Sequence, residues 1–268
     1  MIFAVDIGNS NIVAALMDDE KNVLLSKRIK TAKDARAEHF FREFAKAFGI
    51  SQGKLPLGEG VIALEEMEGA VIASVVPEVT QNVADAMKAL IKKSVLIVRN
   101  DLDMGLKIEM DMPAERIGTD LLLDAAAASA ERDGRIIIFD LGTSTTCSVV
   151  DNHTYKGTII IPGVAISNEA LVNKASQLPR VEFVPPKSVI GKNTVESMQS
   201  GIVHATAAML DGLIKRAEDY LGGEASVFAT GGIAGLIIPH CEREIIYEPD
   251  LLLKGLWLVY RRNAGKYS

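Results

Sequence analysis

Two short polar turns, each set between apolar β runs, constrain this chain more than any other feature: Asp6-Ile7-Gly8-Asn9-Ser10-Asn11 and Asp140-Leu141-Gly142-Thr143-Ser144-Thr145-Thr146. The first follows Ile2–Val5 and leads into Ile12–Met17; the second follows Ile136–Phe139 and leads into Cys147–Val150. Each reads as strand, turn, strand, and each turn supplies a carboxylate, a glycine and hydroxyl or amide donors. Glycine lets backbone N–H groups come close to an anion and aim at it. A carboxylate beside a phosphate needs an offsetting cation, so the natural partner is a metal-bound polyphosphate. One such turn is also what an ordinary β-hairpin uses. Two copies, each behind a buried-type strand, point to a duplicated phosphate clamp. Gly191-Lys192-Asn193-Thr194 looks like the tail of a P-loop, but Pro186 stands where its leading glycine is required, and no G-x-G-x-x-G follows a strand.

The order of elements repeats with the turns. Ile2–Val5, Ile12–Met17 and Val23–Ile29 form a meander, followed by a helix over Ala35–Phe48 with Gly49 as its C-cap. A buried strand over Gly69–Val76, a helix over Glu78–Lys92 and a strand over Val95–Val98 complete the first half. The second half opens on an alanine-rich helix, Leu121–Glu131, and a second meander: Arg135–Asp140, Cys147–Asp151 and Gly157–Ile161, ended by Pro162-Gly163. A helix over Ile166–Ser176 and one long helix over Thr194–Leu221 follow. Then come a strand, Ser226–Thr230, the turn Gly231-Gly232, and a last helix, Leu251–Arg262. Strands alternating with helices predict an α/β sheet in each half. The expectation is two similar domains, 1–115 and 116–268, facing each other across a cleft with both Asp turns around one ligand. The long helix carries Ser200, Gly201, Ala205, Ala207 and Ala208, small residues that permit close helix contact, within a domain or between subunits. Ser51–Gly60, rich in Gly and Pro, reads as a loose loop.

Composition removes several function classes. The chain has 268 residues, is 48% apolar and 24% charged, and carries a net charge of −6 with no basic run, which argues against nucleic acid as a partner. Cys147 and Cys241 form no metal-binding spacing, and no two of the four histidines stand at i, i+4, so a zinc site is not expected. The start lacks a basic segment before its first charge, and no apolar stretch approaches the roughly 18 residues that span a bilayer. A reduced cytoplasmic protein with no membrane association is the expectation.

With these residues in view, the chain resembles the actin, Hsp70 and sugar-kinase ATPase superfamily, and within it the type III pantothenate kinases, over nearly its whole length. The superfamily's shared parts are two phosphate turns and an adenosine turn, and Ala229-Thr230-Gly231-Gly232-Ile233-Ala234 resembles the last. The opening turn resembles the family's Asp-x-Gly-Asn-Thr/Ser, and Ser74-Val75-Val76-Pro77 a family strand end. Gly118-Thr119-Asp120 resembles its Gly-x-Asp-Arg substrate motif, the second turn its Asp-x-Gly-Thr-Ala-x-Thr, and Gly191-Lys192-Asn193-Thr194 a segment whose threonine meets substrate. The resemblance implies a duplicated ribonuclease H-like fold and ATP-dependent phosphorylation of pantothenate, the first step of coenzyme A synthesis. It implies ATP binding by Asp6, Ile7, Gly8, Asn9, Ser10, Asn11, Ile12 and Val13, with Mg²⁺ held at Asp6 through phosphate, and by Gly142, Thr143, Gly231 and Gly232. Asp140 would hold a monovalent cation, K⁺ or NH₄⁺. Asp120 would be the general base, and Gly118, Thr119, Asp120, Leu121 and Thr194 would bind pantothenate. A homodimer whose substrate site involves both subunits is implied as well.

Asp120 also stands where a helix starts, and position alone favours reading it as a helix cap; the resemblance reverses that. The chain departs from the family pattern at several places. Leu121 replaces the Arg after the catalytic Asp, Asp124 a nearby Asn, Met110 an upstream Tyr, Ser148 an Asp after the second turn, and Thr158 a Gly. The segment Pro113 to Gly118 is one residue longer than the pattern. Arg116, Lys107 and Lys174 are the candidates to replace the lost Arg as partner of a substrate carboxylate. Two other readings follow: a divergent nucleotide-binding relative that acts on another small alcohol or regulates a partner, and an ATPase that drives electron transfer through an iron–sulfur cluster. The second needs clustered cysteines that Cys147 and Cys241 do not supply.

Overall fold

The computed structural model describes residues 1–266. They form two compact units, one built from Met1–Leu106, Asp111–Ala127 and the stretch from Asp250 on, the other from Lys107–Met110 and Ala128–Pro249. The division is not the single cut at 115/116 expected from the repeat: residues 116–127 and the last helix group with the first unit.

The first unit opens on the expected meander, β1 (Ile2–Ile7), β2 (Asn11–Met17) and β3 (Val23–Lys30). Helix α1 (Ala37–Phe48) follows and ends where Gly49 turns left-handed at φ 65°. Two short strands, β4 (Lys54–Leu57) and β5 (Gly60–Ala63), then pair as a hairpin, so the segment read as a loose loop is ordered, with Leu55 fully buried. Next come β6 (Gly69–Ser74), α2 (Pro77–Ile91) and β7 (Val95–Ile97). The sheet order is β3-β2-β1-β6-β7, antiparallel across the meander and parallel from β1 to β7. Alternation sends Phe3, Val5 and Ile7 to the face covered by α1 and α2, where they meet Phe40, Phe44, Val83 and Met87. Phe3 and Phe48 meet edge to face at 5.3 Å. Full burial of such side chains stabilises by about 1.5–3 kcal/mol each. The edge strand β3 exposes Lys27, Arg28 and Lys30, charges that discourage pairing with a foreign strand.

Helix α3 (Thr119–Glu131) and the last helix, Leu251–Asn263, complete this unit. The last helix packs along β1 and β6. It comes so near α3 that a Cβ on Gly255 would lie 2.3 Å from the carbonyl oxygen of Leu123. Its polar edge is tied down: Trp257 Nε1 donates to the carbonyl of Asp18 at 2.7 Å, and Arg261 pairs with Glu68 at 2.6 Å and with Asp19.

The second unit holds the second meander, β9 (Arg135–Leu141), β10 (Ser144–Asp151) and β11 (Thr154–Pro162), with a two-residue strand β8 (Lys107–Ile108) on the outer edge that periodicity is too short to reveal. Helices α4 (Val164–Lys174), α5 (Thr194–Ser200) and α6 (Thr206–Leu221) follow, then β12 (Ser226–Thr230), α7 (Ala234–Ile237) and β13 (Ile246–Tyr247). The sheet order is β13-β12-β9-β10-β11-β8. The long helix expected over Thr194–Leu221 is interrupted: residues Gly201–Ala205 form one wide π-turn between α5 and α6. The sheet face carrying Phe139, Cys147 and Val149 packs against Val203, Ala207, Leu210 and Ile214. Both sheets start with the same antiparallel triple and continue in parallel from its first strand, so the duplication read from the sequence is present in the topology. Among the described residues no helix is long and apolar enough to cross a membrane.

Candidate functional site

The first turn is held rigidly. Gly8 N–H donates to Asn11 O at 3.0 Å and closes the loop, while Thr31, just past β3, grips it from outside. Thr31 N–H donates to Ser10 O at 3.1 Å, and its hydroxyl to Gly8 O at 2.6 Å. Asn9 and Ser10 are left exposed at the tip. Gly8 is needed for closeness rather than for a left-handed backbone: a Cβ would sit 3.2 Å from Asn11 O. Asp6 is part-buried in β1, in register with Val13 and with Ala73 of β6. Ile7 and Ile12 are fully buried in the core, so of the residues expected at ATP these two can contribute backbone groups only. Next to Ile7 lies Ser74, whose Oγ accepts from Val76 N–H at 3.0 Å and from Thr80 Oγ1 at 2.7 Å; with Pro77 at the first helical position it shapes the start of α2.

Asp120 lies in this same unit, as the second residue of α3. Its Oδ1 accepts from the N–H of its own neighbour Leu121 at 3.0 Å, so it sits inside the first turn and does not serve as the N-cap. The carboxylate lies against Gly118, where a Cβ would be 2.4 Å from Oδ1. Thr119 turns its hydroxyl to Asn100. Leu121 is part-buried and also touches the Gly118 position. Arg116 is exposed on the turn just before α3, in the same unit as Asp120; Lys107 and Lys174 are exposed in the other unit.

In the second unit the structure brings the expected nucleotide residues together. Asp140 is paired in register with Thr230, and Gly231, at φ 96°, crosses so close that a Cβ would stand 2.6 Å from Asp140 Oδ1 and from the backbone of Leu141. Gly142 N–H donates to Ser144 O at 3.1 Å, and Thr143 is exposed. One residue of this cluster was missed. Gly163, read only as the end of the meander, donates to Thr143 O at 3.2 Å, and a Cβ there would lie 2.1 Å from that oxygen. The Pro162-Gly163 pair was the available signal. The Asp140 carboxylate thus rests against the Gly231 backbone at a distance that only a glycine permits. Among the described residues no group of three or more His, Cys, Asp or Glu could hold a metal ion.

Ser148 and Thr158, two departures from the family pattern, face each other across β10 and β11 and are linked: Ser148 Oγ lies 3.1 Å from Tyr155 Oη and 3.3 Å from Thr158 Oγ1. Thr194 follows an N-cap, Asn193, whose side chain accepts from Glu196 N–H at 2.9 Å. Glu196 in turn accepts from Lys192 N–H at 3.0 Å; that bond, aided by Lys187, holds its carboxyl below the usual range. Thr194 lines a cavity of about 530 Å³ between β11, α4 and the α5–α6 region, with Thr145, Ile161, Leu171, Met198 and Ile202 among its walls. Burial pushes the Cys147 thiol up to about 12 and Cys241 up to about 11, so both stay protonated.

A structure of the activator of 2-hydroxyisocaproyl-CoA dehydratase from Clostridium difficile with bound ADPNP is similar to this chain, with a TM-score of 0.54 over 99% of this chain and 95% of that one, at 14% identity. That likeness concerns the fold, of the actin-like ATPase type. Closer in sequence are two curated proteins named type III pantothenate kinase. The one from Exiguobacterium sibiricum is 37% identical over 264 residues, 98% of this chain and all of that protein. The one from Halalkalibacterium halodurans is 34% identical over 265 residues, with 98% of this chain and all of that protein covered. The family model described as type III pantothenate kinase matches residues 2–216. A match of that extent establishes that the chain belongs to the type III pantothenate kinase family.

Proposed function

We propose that this protein transfers the γ-phosphoryl group of ATP to the primary hydroxyl of pantothenate, the entry step of coenzyme A synthesis, in the cytoplasm. The observation that carries the reading is the family match; the three carboxylates of the resembled pattern, Asp6, Asp120 and Asp140, lie in β1, α3 and β9. Phosphoryl transfer asks a protein for positioning, charge neutralisation and a base at the acceptor oxygen. The backbone of Asp6 to Val13 holds phosphate, with Asp6 anchoring Mg²⁺ through it. Gly142, Thr143, Gly231 and Gly232 receive the rest of the nucleotide, and Asp140 takes a monovalent cation. When bound, the cations offset the phosphate charge. Asp120, in the first turn of α3, accepts the proton of the attacking hydroxyl. Gly118, Thr119, Leu121 and Thr194 bind the acceptor, and Arg116 is the nearest candidate along the chain for its carboxylate.

The active species is a homodimer. Helix α4 has no buried side chain, and Ile160, Ile166, Leu171, Val189, Ile190 and Val195 are exposed, Ile160 by 68% and Ile190 by 73%. Beside them Gly201, Ala205 and Ala208 are exposed on the α5–α6 helix, a small-residue stripe that a second copy can approach closely, whereas Ala207 faces inward. Leu121 favours a second reading, a relative acting on another alcohol. An ATP-dependent assay with pantothenate decides between them. Formation of 4′-phosphopantothenate, detected by mass, is the expected result; ATP binding with no turnover at millimolar pantothenate would sink the assignment.

A further inference from the structure

Asn100 stands in the bend after β7, part-buried, and its side chain makes three hydrogen bonds to one segment. Nδ2 donates to the carbonyl of Ala114 and to that of Ile117, both at 2.7 Å, and Oδ1 accepts from Thr119 Oγ1 at 2.9 Å. Ile117 is the residue before Gly118 and Thr119 the residue after it. One amide therefore grips the chain on both sides of Gly118 and sets the path along which α3 begins. Only an amide offers two donors and an acceptor on so short a stem. A carboxylate in its place would push an oxygen at two carbonyls.

Gly118 is the surface against which the Asp120 carboxylate rests, with room for no Cβ between them. The Asp120 carboxylate accepts from the N–H of its own neighbour, Leu121, so it is oriented by the local backbone rather than by a distant clamp. Whatever moves Gly118 moves that carboxylate. Resting on the reading of Asp120 as the base, we propose that Asn100 is a positioning residue for the transfer step: it holds the Ile117–Thr119 backbone so that the carboxylate meets the acceptor hydroxyl. A misplacement of about 1 Å can cost about 10² in rate.

The test compares kcat, KM for ATP and thermal midpoint in Asn100→Ala and Thr119→Val, each alone and in an Asp120→Asn background. Expected is a fall in kcat of about tenfold or more for Asn100→Ala and a severalfold fall for Thr119→Val, with the KM for ATP essentially unchanged. In the Asp120→Asn background neither change should lower kcat further, since the group they position is gone. Unchanged kcat in Asn100→Ala overturns the proposal, as does a loss that multiplies in full on top of Asp120→Asn. Should Asn100→Ala fail to fold, Thr119→Val decides alone by the same two criteria, because it removes one bond and keeps the branched shape. Wild-type turnover by Asp120→Asn is a separate result: it removes the base reading, and the proposal with it.

Discussion

A methyl group at Gly231 would collide with Asp140 and with the Leu141 backbone, and φ of 96° is closed to other residues without strain. Gly231→Ala should therefore lower both nucleotide affinity and stability, the latter by about 1–3 kcal/mol as a strained, overpacked site. Isothermal titration with an ATP analogue and a melting curve read the two effects. Asp120→Asn should behave differently. It should lose about 10²–10⁴ in kcat, the usual contribution of a general base, while ATP affinity and melting stay as in the parent. Equal loss of ATP binding would put Asp120 at the nucleotide instead. Much at this scale was legible from the chain alone: the turn residues and Asp120 at a helix start follow from local patterns. Asn100 was not, because its partners lie 14 to 19 residues away and no motif marks it. Nor was the link between Ser148, Tyr155 and Thr158, which appears only once the strand register is known.

At the level of elements, hydrophobic periodicity recovered the two meanders and the main helices, and missed what periodicity does not carry. The hairpin β4–β5 looked like a loop because Gly and Pro crowd it; its anchor is a single buried leucine. The wide turn at Gly201–Ala205 begins at a Ser-Gly pair, which apolar periodicity does not single out. Two hydroxyls mark its flanks: Thr206 Oγ1 donates to Ile202 O at 2.5 Å, and Ser200 Oγ donates to Val189 O. Side-chain bonds of this kind accompany such local rewinding. The last helix invites a test through pH. Arg261 donates to Glu68 and, with the Met1 amino group, holds its carboxyl at about 2 in place of 4.5. A depressed carboxyl stabilises the fold above the unfolded value and loses that contribution as pH falls through the folded one. The melting temperature should thus decline from pH 4.5 toward 2. Glu68→Gln should start lower at neutral pH and decline less steeply. Glu68 is partly exposed, so salt should weaken the difference.

For the molecule as a whole, the exposed apolar and small-residue surfaces make assembly testable. Ala205→Arg places a charge on the stripe without touching the core side. It should convert a dimer to a monomer in sedimentation at micromolar concentration, with normal far-UV circular dichroism. A wild-type monomer would contradict the assignment. The two units make a further prediction. A fragment of residues 1–115 lacks α3 and also the last helix, which packs along β1 and β6, so it should remain unfolded; one spanning 107–249 carries a complete sheet and its helices and should fold. Amide exchange on each fragment reads this directly. The duplicated order of strands and helices was visible in the chain, but this interleaving was not, since no local pattern says which sheet a distant helix will cover. Its consequence concerns time. Domains fold as units while a chain is being made, yet the early strands here belong to a unit whose helix over Leu251–Asn263 is made only after the second unit. The second unit can be finished while the first still waits, its β1 exposed. Chains truncated at residue 249 should therefore show protease resistance over 128–249 and none over 1–106.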